Sequence, residues 1–274
     1  MPELPEVETI KNDLAKSLVG MRITGLWWDS PKQLKPSPQM VEDNIIGTTI
    51  EKIERRAKII QFFLSNQKIL IVHLKLTGRL LIRDRKEPAD KWAHIILRLS
   101  DNLDLRFCDM RKFGYLRIMS DEKELDEVLK EFGPEPFTPE FTVEKFKKIL
   151  SVFSLPIKIL LMDQKKIAGV GNIYANEALF LAGINPRIKA NTLSNGQMVQ
   201  LFHCLLKVLT EGIKFRGASD QSYLDAFGRE GEYQKHFRVY QQDNKSCPNK
   251  CGGKIVRMKL GGRGTFYCPK CQKL

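Results

Sequence analysis

No stretch of this 274-residue chain reaches the length of a membrane-spanning helix, which takes roughly 18 consecutive apolar residues. Its first twenty residues carry charges throughout and lack the apolar centre of a secretory leader. A soluble cytoplasmic protein with no membrane partner is therefore expected. Internal repeats and low-complexity tracts are also missing, which excludes solenoid and disordered classes. Acidic residues are scarce where it matters: from Lys245 onward there are eight Lys and Arg and no Asp or Glu. The net charge of +13 is unevenly spread, since residues 1–133 hold 23 basic against 21 acidic side chains and residues 134–274 hold 22 against 11. A surface following a phosphate backbone needs such a bias, although a generically solvated basic face would also produce it.

What is present has the 42% hydrophobic content of an ordinary folded protein, at a length that accommodates two domains. Val7, Ile10, Leu14 and Leu18 recur at intervals of three and four, so one amphipathic helix ends near Gly20. From about Ile23 to Met119 the chain turns to short β-branched runs such as "KILIVHLKLTGRLLIRD" and "HIILRLSDNLDLRF". These predict an antiparallel β-sandwich with the first helix packed on it. "EFGPEPFTPEF" has no period and three prolines, which marks a linker. Beyond it "VEKFKKIL", "KILLM", "IYANEALFLAGI" and "GQMVQLFHCLLKVLTEGI" predict helices. The expected class is α+β: a β-sandwich domain over 1–133, a helical domain over 134–238, and a small basic, cysteine-bearing module over 239–274.

Cys247 and Cys251, then Cys268 and Cys271, form two close pairs sixteen residues apart. Such pairs on a β-hairpin close a tetrahedral thiolate site around one zinc ion, and four thiolates leave no open position, so that zinc is structural. A disulfide pairing is the alternative, disfavoured in a reducing compartment. Cys108 and Cys204 read as small buried apolar residues. Arg263 stands at the tip of the same hairpin, where it either clamps phosphates or is simply solvated. In "AGVGNIYANEALF", Gly169 and Gly171 permit a tight turn and Asn172 stands where an N-cap opens the next helix, with free amides suited to phosphate. No Lys-Ser/Thr follows, which argues against a nucleotide P-loop. "CDMRKFGYL" offers Arg111, Lys112 and Phe113 on one turn: a base-reading guanidinium, a phosphate contact and an aromatic wedge, or a hairpin with one buried Phe. Leu76 is a second wedge or a core residue.

The opening "MPELPEVETI" has two prolines where a helix start needs one. Pro5 suits the first helical turn, and Glu6 and Glu8 fall where the helix dipole favours negative charge. Pro2 and Glu3 are left over, either as an unstructured end or as chemistry that uses the terminus.

The residues "PELPEVET", "RRAK", "DMRKFG", "LMDQKKIAGVGNIYANEALF" and "GGRGTFYCPKCQ", in that order, resemble the bacterial formamidopyrimidine-DNA glycosylases, helix–two-turn–helix DNA repair enzymes. The resemblance covers essentially the whole chain. It implies a helix–two-turn–helix domain, a β-hairpin zinc finger, and a monomeric bifunctional DNA glycosylase/AP lyase acting on damaged double-stranded DNA. The substrates implied are 8-oxoguanine and formamidopyrimidines, removed by base flipping and followed by β,δ-elimination. Pro2, freed by loss of Met1, would be the nucleophile and Glu3 the general acid, with Glu6 in support and Lys58 on a phosphate beside the lesion. Leu76, Arg111 and Phe113 would fill the gap in the stack, Arg111 facing the orphaned cytosine. His73, Lys158, Asn172 and Arg263 would hold the DNA backbone. The chain departs from the family pattern at Leu76, usually methionine, in the three-residue spacing inside its first cysteine pair, and over residues 216–234, the place of the loop that receives the damaged base. Two other readings compete: an endonuclease VIII-like glycosylase for oxidised pyrimidines, and a non-catalytic zinc-finger nucleic-acid-binding protein.

Overall fold

A computed structural model describes residues 1–274, which form two compact units. The first comprises Met1–Glu131 and Phe215–Glu232; the second comprises Phe132–Lys214 and Tyr233–Leu274.

The first unit contains α1 (Leu4–Leu18), β1 (Ile23–Trp28), β2 (Leu34–Lys35), α2 (Pro38–Ile45), β3 (Ile50–Arg56), β4 (Ile59–Leu64), β5 (Ile69–His73), β6 (Gly78–Asp84), β7 (Ala93–Leu99), β8 (Leu103–Asp109), β9 (Tyr115–Met119) and α3 (Glu122–Leu129). The strands form a four-stranded sheet in the order β1-β7-β8-β6 and a five-stranded sheet in the order β2-β9-β5-β4-β3. Every pairing is antiparallel except the short β2–β9 contact. The stripe Val7, Ile10, Leu14 and Leu18 is fully buried in one core with Phe62, Leu70, Leu97 and Phe107. Removing these side chains from water is worth roughly 1.5–3 kcal/mol each, enough to fix the face that α1 turns inward. The helix begins one residue earlier than Pro5 alone would dictate: Glu3 is the N-cap, Pro5 is the second helical residue, and Glu6 the third.

The second unit holds α4 (Val143–Val152), α5 (Ile157–Met162), α6 (Asn172–Leu181), α7 (Asn195–Lys214), and the hairpin β10 (Val256–Leu260) and β11 (Arg263–Tyr267). Helix α6 is buried on all sides from Ile173 to Phe180, as expected of an apolar central helix. Its Glu177 carboxylate accepts from the backbone N–H groups of Arg238, Val239 and Tyr240 at 2.9–3.1 Å. Asn176 Oδ1 accepts from Phe266 N at 2.8 Å. One helix therefore anchors both the segment entering the cysteine module and the hairpin within it.

Two features depart from the sequence-based expectation. Helix α2 interrupts the stretch Ile23 to Met119 read as strands, and α3 follows it where no element was expected. Residues 215–232, expected within the helical domain 134–238, instead fold with the first unit, where Ile82 N donates to Ala226 O at 2.8 Å and Arg79 Nε to Ser222 O at 2.5 Å.

Gly212 on α7 tests the packing of the second unit. A Cβ there would lie 2.4 Å from Tyr174 Oη and 2.5 Å from Cε1. Tyr174 cannot swing aside, because its ring is fully buried and stacked on Tyr233 at 5.2 Å. Gly212→Ala should therefore lower the urea midpoint, with overpacking of roughly 1–3 kcal/mol outweighing a helix-propensity gain of about 1 kcal/mol. A raised midpoint would show that α6 and α7 have room to part.

Candidate functional site

The chain start is ordered by its own carboxylates. Glu6 Oε2 accepts from Glu3 N at 2.8 Å, and the Glu3 carboxylate accepts from the Glu6 backbone in a reciprocal capping box. Glu6 Oε1 accepts from Ala218 N at 2.9 Å, so the same side chain holds the excursion 215–232. Gly217 has φ +82° and leaves no space for a Cβ, which would lie 2.8 Å from Glu6 Cγ. Arg216 extends the anchorage, bonding Asp13 of α1 and Asp225 at 2.6 Å each. Pro2, Glu3 and Glu6 are all buried, and with Met1 attached the Pro2 nitrogen is an amide.

A basic, aromatic surface lies on the same unit. Lys58 sits buried in the turn between β3 and β4. His73 ends β5, and its Nδ1 accepts from Lys75 N at 3.0 Å, which leaves the ring proton on Nε2. Burial, with help from the charges of Lys75 and Lys58, pushes the His73 imidazole down to about 3. It is a neutral donor at physiological pH. Arg111, Lys112 and Phe113 are exposed after β8, with the Arg111 guanidinium 4.7 Å over the Phe113 ring, and Leu76 is half-buried in the turn after β5. Leu76, Lys112 and Phe113 line a cavity of about 520 Å³ together with Met1, Lys32, Lys35, Lys75 and Tyr115. Lys35 and Lys75 both lie over the Tyr115 ring, at 4.5 and 5.6 Å, and burial followed by the charge of Lys35 lowers the Lys75 ammonium. Cations crowded at one rim without an acidic lining residue suit a polyanion. No local pattern singles out Lys32, Lys35 or Lys75, because only the fold brings them to one cavity.

In the second unit the four cysteine Sγ atoms lie within 4.8 Å of one another, Cys247 to Cys271 at 3.6 Å and Cys251 to Cys268 at 3.5 Å. Tetrahedral thiolates at 2.3 Å from zinc stand about 3.8 Å apart, so the cluster fits the ion. The backbone N–H of Gly253 holds the Cys251 thiol down to about 7, whereas burial pushes Cys247 up to about 12, so four thiolates together require a divalent charge. This is one structural zinc site. Gln272 ties it to the helices, accepting from Cys268 N at 2.9 Å and donating to Ile184 O at 2.8 Å. At the hairpin tip Gly261 and Gly262 have φ +57° and +74°, the pair of left-handed residues that a two-residue turn requires, and Arg263 beside them is exposed.

Two expectations change here. Lys158 was expected on the DNA backbone, yet it is 1% exposed and donates to Gly264 O at 2.9 Å and Thr265 Oγ1 at 2.7 Å. Gly171, not Asn172, caps α6; Asn172 is its first residue, half-buried, with Oδ1 accepting from Asn176 Nδ2 at 3.3 Å.

Family models match three stretches: the formamidopyrimidine-DNA glycosylase N-terminal domain over residues 1–116, the formamidopyrimidine-DNA glycosylase H2TH domain over 132–223, and the zinc finger found in FPG and IleRS over 245–274. The chain belongs to the formamidopyrimidine-DNA glycosylase family. It is 42% identical over 278 residues to the formamidopyrimidine-DNA glycosylase of Pelotomaculum thermopropionicum, covering all of both chains, and 40% identical over 274 residues to that of Carboxydothermus hydrogenoformans, again covering all of both. Among solved structures it is similar to Lactococcus lactis Fpg in complex with abasic-site DNA, with TM-score 0.93 and 33% identity over 99% of this chain and 100% of that one. The same enzyme bound to DNA containing an oxidised pyrimidine matches at TM-score 0.93 and 33% identity, over all of both chains. The C-terminal cysteine cluster thus falls in the family's zinc finger, and the excursion 215–232 begins inside the stretch matched by its H2TH domain.

Cys268→Ser should release zinc and unfold the hairpin while the β-unit retains its fold, as metal analysis and circular dichroism would report; full zinc content would refute the ligand assignment. His73 should stay neutral from pH 8 to pH 5 in a heteronuclear NMR titration. Since an unfolded histidine titrates near 6.5 and this one near 3, its contribution to stability is complete above pH 6.5 and declines as pH falls below it.

Proposed function

We propose that this protein excises oxidised purines, 8-oxoguanine and formamidopyrimidines, from duplex DNA and then cleaves the strand at the resulting site. The observation that supports this reading is the capping box beside Pro2: Glu3 and Glu6 are 2% and 1% exposed, an order that a merely trailing chain end lacks. Removal of Met1 converts the Pro2 amide to a secondary amine. Ordinary chain termini titrate at roughly 7.7–8.0, so an unprotonated fraction exists at neutral pH without a buried lysine. The amine attacks C1′ of the flipped nucleoside, the bond to the base breaks, and Glu3 supplies the proton that accompanies base departure and ring opening. The product is an iminium, permanently cationic because the amine is secondary. It withdraws electrons from C2′; Glu3 removes a C2′ proton, and the 3′ phosphate leaves in β-elimination, followed by δ-elimination of the 5′ phosphate. Hydrolysis of the Schiff base frees Pro2.

A base inside a duplex is out of reach, so Leu76, Arg111 and Phe113 enter the vacated stack, with Arg111 on the orphaned cytosine. Lys58, His73, Lys112, Asn172 and Arg263 hold phosphates, joined by Lys35 and Lys75, and Lys158 positions the Arg263 hairpin. The protein acts as a monomer, in the bacterial cytoplasm at the nucleoid. Oxidised pyrimidines form a second substrate class, favoured by the complex of the Lactococcus lactis relative with DNA carrying such a lesion.

Borohydride reduces an iminium to a stable amine. Incubation with a duplex carrying 8-oxoguanine opposite cytosine should give a covalent adduct mapped by mass spectrometry to Pro2. Protein with Met1 retained should bind DNA yet give neither adduct nor cleavage. Full activity from a verified blocked terminus would move the nucleophile to an internal lysine such as Lys58.

A further inference from the structure

Asp109 ends β8 with its side chain fully buried, and its two oxygens serve different segments. Oδ2 accepts from Gly114 N at 2.7 Å and from the buried Gln33 Nε2 at 3.4 Å. Oδ1 accepts from Arg111 N at 3.2 Å and from the Thr77 hydroxyl. The Thr77 oxygen in turn accepts from Arg111 N at 3.2 Å, so this hydroxyl both donates and accepts and its rotor is fixed. Thr77 follows Leu76 directly in sequence. Its turn is itself compact, with Gly78 N donating to Leu74 O at 2.9 Å and no space for a Cβ on Gly78. The turn after β8 is equally constrained: Lys112 takes φ +54°, and its N–H donates to Asp109 O at 3.1 Å.

We propose that the Thr77 hydroxyl and the Asp109 carboxylate form a clamp joining the Leu76 turn to the Arg111–Phe113 turn, so that the two enter the duplex as one rigid wedge. The proposal rests on the wedge reading above and makes Thr77 and Asp109 positioning residues. Two independent loops would each lose conformational freedom on entering the stack; loops already tied together do not. The clamp also sets how far Arg111 reaches. A guanidinium reads a base edge only when its backbone is fixed, and the Arg111 N–H is the atom shared by both clamp partners.

The test uses full-length, zinc-loaded protein lacking Met1, and a duplex in which 2-aminopurine beside the lesion brightens as stacking is lost. Thr77→Val keeps side-chain shape and deletes the hydroxyl. It should slow the brightening and reduce the preference for cytosine over adenine opposite the lesion, each by roughly tenfold, the scale of one hydrogen bond to a charged group. Thr77→Ser should restore both. Borohydride trapping on a single-stranded abasic oligonucleotide should be unchanged, since there is no stack to open and no opposing base. In an Arg111→Ala background, Thr77→Val should cause no further loss of discrimination. If Leu76→Ala and Phe113→Ala are slow but Thr77→Val matches the parent, the wedge stands and the clamp is refuted. If Leu76→Ala and Phe113→Ala also match the parent, both readings fall. Equal slowing of Thr77→Val on the single strand would reduce Thr77 to a general structural role and overturn the clamp.

Discussion

A chain end has covalent connection on one side only, so something other than the chain must hold it still. Here that restraint is the Glu6 carboxylate. One oxygen fixes the backbone of Glu3 and the other fixes Ala218, more than two hundred residues away in sequence. The helix beginning at Leu4 supplies the direction, and the core stripe of Val7, Ile10, Leu14 and Leu18 supplies the rigidity. A buried carboxylate with two backbone donors is satisfied as an anion, which offsets much of the desolvation it suffers. Because one side chain binds both segments, the terminus and the excursion stabilise one another.

Charge is segregated by the task it serves. Three buried carboxylates act as fasteners: Asp109 between turns, Asp225 beneath Arg216 and Arg229, Glu177 beneath the 238–240 backbone. Cations crowd the surface around Tyr115, where burial and then the charge of Lys35 lower the Lys75 ammonium and no acid lines the rim. The rim around Tyr115 is positive because no carboxylate lines it, even though basic and acidic residues are nearly balanced in number over residues 1–133. His73 contributes a donor without adding charge, since its Nδ1 is occupied and its proton lies on Nε2.

Periodicity made the apolar stripe of α1 and the length of α7 legible, and cysteine spacing made the metal site legible, because each is a local pattern. The short helices α2 and α3 are not legible in this way: each has eight residues, about two turns, too few for an apolar period to be told from a strand or loop. The place of residues 215–232 in the first unit has no local signature, because it rests on contacts to residues far away in sequence, such as Ala218 to Glu6, Arg216 to Asp13 and Ala226 to Ile82. The family resemblance alone puts Lys158 on the DNA backbone, whereas the structure gives its ammonium hairpin oxygens as acceptors. The pairing of Thr77 with Asp109 and Arg111 has no sequence signal, since side-chain hydrogen bonds between turns leave no period.

The first unit is discontinuous, and that fact has a meaning in time as well as in space. Residues 1–131 are synthesised before Phe132–Lys214, and only then does Phe215–Glu232 appear. On the ribosome the β-sheets are complete long before Glu6 Oε1 can meet Ala218 and before Asp13 can meet Arg216. The nascent chain therefore carries its first-made residues in an unfinished setting until most of the second unit has been translated, and the final closure of the earliest-made domain is one of the last events of its biogenesis.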